Sequence, residues 1–321
     1  MKGMENKNGT PSAAGGRGGL FDQPRKAASG LVFSGAVFGM LVLSLLLSLT
    51  LALISQINGT PVDELTQTNA YRYVAYVLYD VAYIAVIAVF LFVYKEKPRA
   101  FGFRLPKPQY WLLAVLLAFG LLFSLNFANG WFISFLGLFG YEAPASSLPS
   151  LEGAGFIGVL FAVAVLPAFF EETLLRGIIL EGIKDVGTVA ACLLGGLLFS
   201  LFHMSPAQTI YQFICGCVFT LLAIRSQSVF PTMLAHFLNN AVIVLDARFG
   251  FLEGISGGGA VAVYVLSALC LIASLVWLIF FDRKTNRKKQ GAIKPFLLPA
   301  AIGLGICVIL WISNFVAGLG G

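Results

Sequence analysis

Apolar residues recur along this chain in long runs separated by short polar segments. A transmembrane helix needs about 20 mostly apolar residues. On that rule the runs at 31–54, 71–94, 111–138, 156–180, 186–204, 209–224, 229–245, 260–281 and 296–317 predict about nine spans. The first three and last two are uninterrupted, whereas the fifth to seventh are short, closely spaced and broken by polar residues. One of those three is a candidate for a re-entrant segment. Residues 1–30, with GTPSAAGGRGG at their centre, are too polar and glycine-rich to bury a core and are expected to form a disordered tail. The first apolar run is longer than a signal-peptide core, and no A-x-A-like cleavage site follows it. It is expected to remain as an anchor.

Composition agrees with the pattern. Of 321 residues 58% are hydrophobic and only 11% charged, and the mean hydropathy is +0.88. These values exclude an ordinary soluble domain and predict an all-α polytopic membrane protein. A net charge of +6 raises the question of nucleic acid, but the basic residues sit in blocks between apolar runs. Lys2, Lys7, Arg17, Arg25 and Lys26 precede the first run; KEKPRAFGFRLPKP (95–108) follows the second and DRKTNRKKQGAIK (282–294) the eighth. The alternate segments SQINGTPVDELTQTNA (55–70) and YEAPASSLPSLEGA (141–154) hold no lysine or arginine. By the positive-inside rule the amino terminus is cytoplasmic and the carboxyl terminus external in a multi-pass protein, with the cell membrane as its expected location. The expected partner is the lipid bilayer, whose anionic headgroups attract the basic blocks, and not nucleic acid. Cys192, Cys215, Cys217, Cys270 and Cys307 all fall in apolar runs without paired metal-site spacing and read as small buried hydrophobes.

Chemistry is then to be sought among polar residues at membrane depth. The ionisable ones are Asp80, Glu171, Glu172, Arg176, His203 and His236; the amides are Asn126, Asn129, Gln212, Asn239 and Asn240. A charged side chain at mid-membrane costs about 2.5–3.5 kcal/mol on insertion scales, so such residues are functional candidates by default. At about 100° per residue, Glu172 and Arg176 are neighbours on one helix face and pair, while Glu171 projects away and is free to face a cavity. Phe199 and His203 share a face in the same way, as do His236 and Asn240. Asp80 stands alone and reads as a helix-packing group; Asn126, Asn129 and Gln212 read as hydrogen bonds between helices.

The order EETLLR (171–176), FSLFH (199–203) and HFLNN (236–240) resembles the EExxxR, FxxxH and HxxxN signatures of the CPBP family. That family comprises the type II CAAX prenyl endopeptidases and the bacterial Abi or bacteriocin-processing proteins. The resemblance covers the segment from about 155 to 245, and it implies an intramembrane endopeptidase with a polar catalytic cavity among its helices. The chain then divides into a tail (1–30), N-terminal transmembrane helices (31–154), a catalytic core (155–245) and C-terminal transmembrane helices (246–321). By the resemblance Glu171 activates a water, His203 helps to hold it, and His236 and Asn240 donate to the oxyanion. Glu172 and Arg176 tune and brace, and Phe199 belongs to the second motif. The substrate implied is a peptide or a lipidated, prenylated protein.

No cofactor is expected. Two glutamates and two histidines leave zinc as a second reading, although there is no HExxH and each histidine falls on a different helix; the resemblance favours a glutamate-activated water without metal. Two other classes also use buried charges: a proton- or ion-coupled transporter, and a non-catalytic membrane scaffold in which Glu171→Ala is silent. Against transport, the polar residues cluster in one segment with no matching set in another half. One inconsistency accompanies the site. At about 1.5 Å per residue, Glu172 falls roughly 12 Å and His236 roughly 10 Å from the cytoplasmic ends of their helices, but His203 roughly 25 Å. A fifth helix that starts outside the hydrocarbon or kinks near Gly195 and Gly196, or a fourth helix bent at Pro167, is needed to bring them together.

Overall fold

The computed structural model describes residues 25–144, 147–282 and 291–320. The tail expected to be disordered lies, up to residue 24, outside the described residues, but from Arg25 the chain is already helical. The helices are α1 (Arg25–Asn58), the short α2 (Val62–Gln67), α3 (Asn69–Tyr94), α4 (Pro108–Gly137), α5 (Ala154–Val186), α6 (Thr188–Phe202), α7 (Thr209–Ser226), α8 (Phe230–Phe249), α9 (Gly257–Phe281) and α10 (Lys294–Ala317). Local signals set several boundaries. The Thr68 hydroxyl accepts from the Tyr71 N–H at 3.3 Å and caps α3, and α4, α8 and α10 carry proline in the first turn, where its missing N–H costs nothing.

Each of the nine apolar runs is a helix, but seven of them among the described residues are long and apolar enough to cross a membrane. The other two are α6 and α8. At 15 residues, about 22 Å, α6 is shorter than a hydrocarbon core of about 30 Å. Its partner exception, α8, has the length, but its polar groups lower its hydropathy. Aliphatic side chains such as Leu49 and Leu53 on α1, and Phe92 on α3, stay more than half exposed on the bundle's outer surface. Lipid is the environment in which such a surface carries no penalty.

Connections run up and down, so the bundle has two distinct ends. At one end Lys26 pairs with Asp185 at 2.7 Å and donates to the Ala292 carbonyl, Ser228 donates to the Arg104 carbonyl, and Arg225 donates to the Leu278 carbonyl. All the basic segments among the described residues gather here. At the opposite end Arg72 donates to the Leu148 carbonyl, the Ser150 N–H donates to Asn69, and the Glu142 N–H donates to the Gly318 carbonyl. Among the described residues, only Arg72 and Arg248 bring positive charge to that end.

Helices α6 and α7 form a tight hairpin whose contact line is made of small residues. A Cβ on Gly196 falls 2.4 Å from Cys217 Sγ and 2.6 Å from the Phe213 carbonyl oxygen, and one on Gly216 falls 2.8 Å from Gly196 Cα. Two backbones this close leave no room for a methyl group. Gly216→Ala is therefore expected to lower the thermal midpoint measurably in detergent, whereas Gly130→Ala, with nothing within 4 Å of the added atom, leaves it unchanged; equal effects would disprove the close-packing account. Outside the hairpin, α1 packs along α10 and α4 along α9.

Candidate active site

The site begins with an irregularity in α5. The helix loosens into π-turns over Phe161–Val165 and Thr173–Ile179, where the Leu166 N–H bonds back to Phe161 and the Leu180 N–H to Leu175. The segment between these turns ends in the two glutamates. Pro167 lies four residues beyond Val163 and has no N–H, so the Val163 carbonyl cannot receive its α-helical hydrogen bond. The Asn240 side chain takes that place, donating from Nδ2 at 2.9 Å. The proline thus opens a carbonyl on α5 that α8 fills, which fixes the two helices against each other.

Glu172 points away from the cavity and is fully buried. Its Oε1 accepts from Arg176 Nη1 at 2.8 Å and faces His236 Nδ1 at 3.0 Å. The guanidinium is held further by the Gly216 carbonyl at 3.3 Å and lies over the rings of Phe199 and Phe219, 4.4 and 5.5 Å from their centroids. Glu172 Oε1 thus serves both the guanidinium and the imidazole, while its buried Oε2 makes no hydrogen bond among the described residues, and aromatic faces cover the cation.

Glu171, one residue earlier, lines a cavity of about 970 Å³ together with His203, His236 and Asn240. Its Oε2 is buried and has no hydrogen-bond partner among the described residues. His203 Nδ1 lies 2.8 Å from the Phe199 carbonyl oxygen. A carbonyl can only accept, so Nδ1 carries the proton and a neutral ring keeps its lone pair on Nε2. Phe199 is the common wall: its ring meets His203 edge-on at 4.7 Å and His236 at 5.9 Å, besides carrying Arg176. Deeper support comes from Tyr211, which donates to Asn239 Oδ1 at 2.5 Å, while Asn239 donates to Asn240 Oδ1 at 3.3 Å.

The mismatch in depth between Glu172 and His203 disappears because α5 continues to Val186, past the expected end at 180. Glu172 then lies 14 residues before Val186, about 21 Å, and His203 lies 15 residues after Thr188, about 22 Å. Measured from the α5–α6 turn, the two residues stand at the same level. His203 is not inside a long span but at the C-cap of α6, where the chain turns back. Asn314 of α10 donates to the Met204 carbonyl at 2.8 Å and Trp311 of the same helix to the Thr209 hydroxyl at 2.9 Å, bracing both arms of that turn.

Other residues differ from their sequence reading. Asp80 on α3 is not a packing hydrogen bond: it lines the cavity, is 2% exposed, and neither carboxylate oxygen has a partner among the described residues. Asn126 and Asn129 line the cavity too, and Gln212 bonds Gln208, close by in sequence, instead of a neighbouring helix. An unpaired buried carboxylate costs stability, so Asp80→Leu is expected to stabilise the purified protein by about 1–3 kcal/mol; a lowered midpoint would show that Asp80 has a structural partner.

Donor geometry bears on metal binding. Among the described residues no three His, Cys, Asp or Glu side chains group to hold an ion. Glu172 and His236 are engaged with each other, and His203 with a backbone carbonyl. Both histidine bonds use Nδ1 and leave the Nε2 of each ring unengaged by them.

Residues 153–242 match the family described as type II CAAX prenyl endopeptidase Rce1-like. The chain carries a domain of the CPBP family. No curated protein and no solved structure matches it. The matched segment runs from the start of α5 into α8 and contains Glu171, Glu172, Arg176, Phe199, His203, His236 and Asn240. Its cavity is completed from outside that segment, by Asp80 and Tyr83 of α3 and by Leu310 and Asn314 of α10.

Proposed function

We propose that this protein is an intramembrane endopeptidase that hydrolyses a peptide bond by a water activated at Glu171, without a metal. The observation that carries the reading is the division of labour in α5: one glutamate is sealed into an ion pair, and the other stands free in a polar cavity between two oriented histidines. In this mechanism Glu171 takes a proton from a water whose other side is held by the His203 Nε2 lone pair. The oxygen attacks the substrate carbonyl carbon. His236, oriented by the bond between its Nδ1 and Glu172, turns Nε2 to the oxyanion as a hydrogen-bond donor. Asn240 has one N–H left beyond its bond to Val163 and is the second donor. Glu171 then passes its proton to the leaving nitrogen as the C–N bond breaks, giving a carboxylate and an amine. Fixed donors aimed at the oxyanion stabilise it more than water does, and a positioned base contributes about 10²- to 10⁴-fold.

Substrates of this class are peptides or lipidated protein tails. The test is purified protein in detergent, wild type against Glu171→Ala and His236→Ala, with a farnesylated CAAX peptide and a diverse peptide library, with and without chelator. Cleavage by wild type alone, indifferent to chelator, is the expected result. Equal cleavage by all three proteins overturns the assignment, and loss on chelation that zinc restores overturns the metal-free mechanism.

A further inference from the structure

The cavity reaches only one end of the bundle. Its outer lining is Tyr71 and Arg72 at the start of α3, Ser147 in the segment after α4, Gln208 in the α6–α7 turn, Asp246 near the end of α8, and Asn314 near the end of α10. Every one of these belongs to the end that lacks basic segments. No residue of the Lys26, Arg104, Asp185 and Asp282 end lines it. Below Glu171 it is closed by Phe199 and Phe219, on which the buried Arg176 lies. The ion pair of Glu172 thus plugs the bundle between the cavity and the basic end.

Charge orients the two ends. Lysine and arginine collect in the tail, in 95–108 and in 282–294, and the segments joining helices at the opposite end hold almost none. Such asymmetry places the basic end in the cytoplasm. We infer that the catalytic cavity opens at the non-cytoplasmic face of the membrane, so that its substrate is a peptide segment presented from that side: an exported peptide, or the outward-facing stretch of a membrane protein. The mouth suits such a chain. Side-chain amides of Asn126, Asn129, Gln208 and Gln212 offer both donors and acceptors to an extended backbone, and Arg72 and Asp246 supply one charge of each sign. The substrate class rests on the endopeptidase reading; the side of opening does not.

Two measurements separate these claims. Ser147→Cys at the mouth and Lys97→Cys at the basic end are each expressed in bacterial cells, with the wild type as background for its own cysteines, and treated with a membrane-impermeant maleimide before and after the cells are opened. Ser147→Cys is expected to label in intact cells and Lys97→Cys only in opened ones; the reverse overturns the orientation. In the second, a segment cleaved by the purified protein is attached to a single-span anchor on either its external or its cytoplasmic side, in cells with wild type or Glu171→Ala. Glu171-dependent cutting of the external reporter alone supports the inference, and cutting of the cytoplasmic one alone overturns it. External labelling with neither reporter cut upholds the opening and counts against the substrate class.

Discussion

Glu171→Gln is expected to reduce peptide cleavage by about 10²- to 10⁴-fold, the range for a positioned general base, while the thermal midpoint of the detergent-purified protein stays within a degree or so of wild type. The asymmetry follows from what the carboxylate touches. Glu171 lines the cavity, and its Oε2 has no hydrogen-bond partner among the described residues. A neutral amide of the same shape therefore breaks no internal contact, and it removes an unpaired charge from a buried place. What it loses is the capacity to accept a proton from water. A variant that loses cleavage together with its fold would assign Glu171 a structural role. One that keeps both would remove it from the chemistry. Glu171→Asp is a useful companion: the base is retained but withdrawn by one methylene, so partial activity is the expected outcome.

The second large effect belongs to the neighbouring glutamate, with the opposite signature. Arg176→Met is expected to destabilise the protein by about 3–5 kcal/mol, the cost of leaving a buried partner uncompensated, and to lower its yield in membranes. Glu172 is fully buried, with Arg176 at 2.8 Å and His236 at 3.0 Å as its partners, so losing the guanidinium strands a carboxylate where no water reaches it. Adding Glu172→Gln to Arg176→Met removes the stranded charge and is expected to recover part of the stability, since a neutral buried pair is cheaper than half an ionic one. Cleavage stays low in the double variant, because His236 has lost the carboxylate that holds its Nδ1. Measuring unfolding midpoints for both singles and the double closes the cycle. If the double is less stable than Arg176→Met alone, the ion pair is not the reason for the loss.

Local relations were legible in the sequence and distant ones were not. The pairing of Glu172 with Arg176 and the freedom of Glu171 follow from helical angles over four residues, and the structure has both. The bond between Glu172 and His236 spans 64 positions and leaves no periodic trace. Pro167 did carry a usable signal, because a proline announces a bare carbonyl four residues earlier; what fills it, Asn240, is settled only by packing. Asp80 has no motif around it, so its place in the cavity is visible only once α3 lies against α5. The end of α5 was misplaced because Glu181, Lys184 and Asp185 look like a loop. In the structure Lys184 pairs with Glu181 and Asp185 with Lys26, which lets the helix run on to Val186.

The brace on the turn after His203 has a consequence for the order of assembly. Asn314 and Trp311, which hold the Met204 carbonyl and the Thr209 hydroxyl, lie about a hundred residues downstream of the histidine they steady. Synthesis runs from the amino terminus, so Glu171, His203 and His236 have all left the ribosome before α10 exists. A nascent chain thus carries its charged groups into the bilayer with the hairpin unsecured, and α10, inserted after all of them, is the helix that braces the pocket.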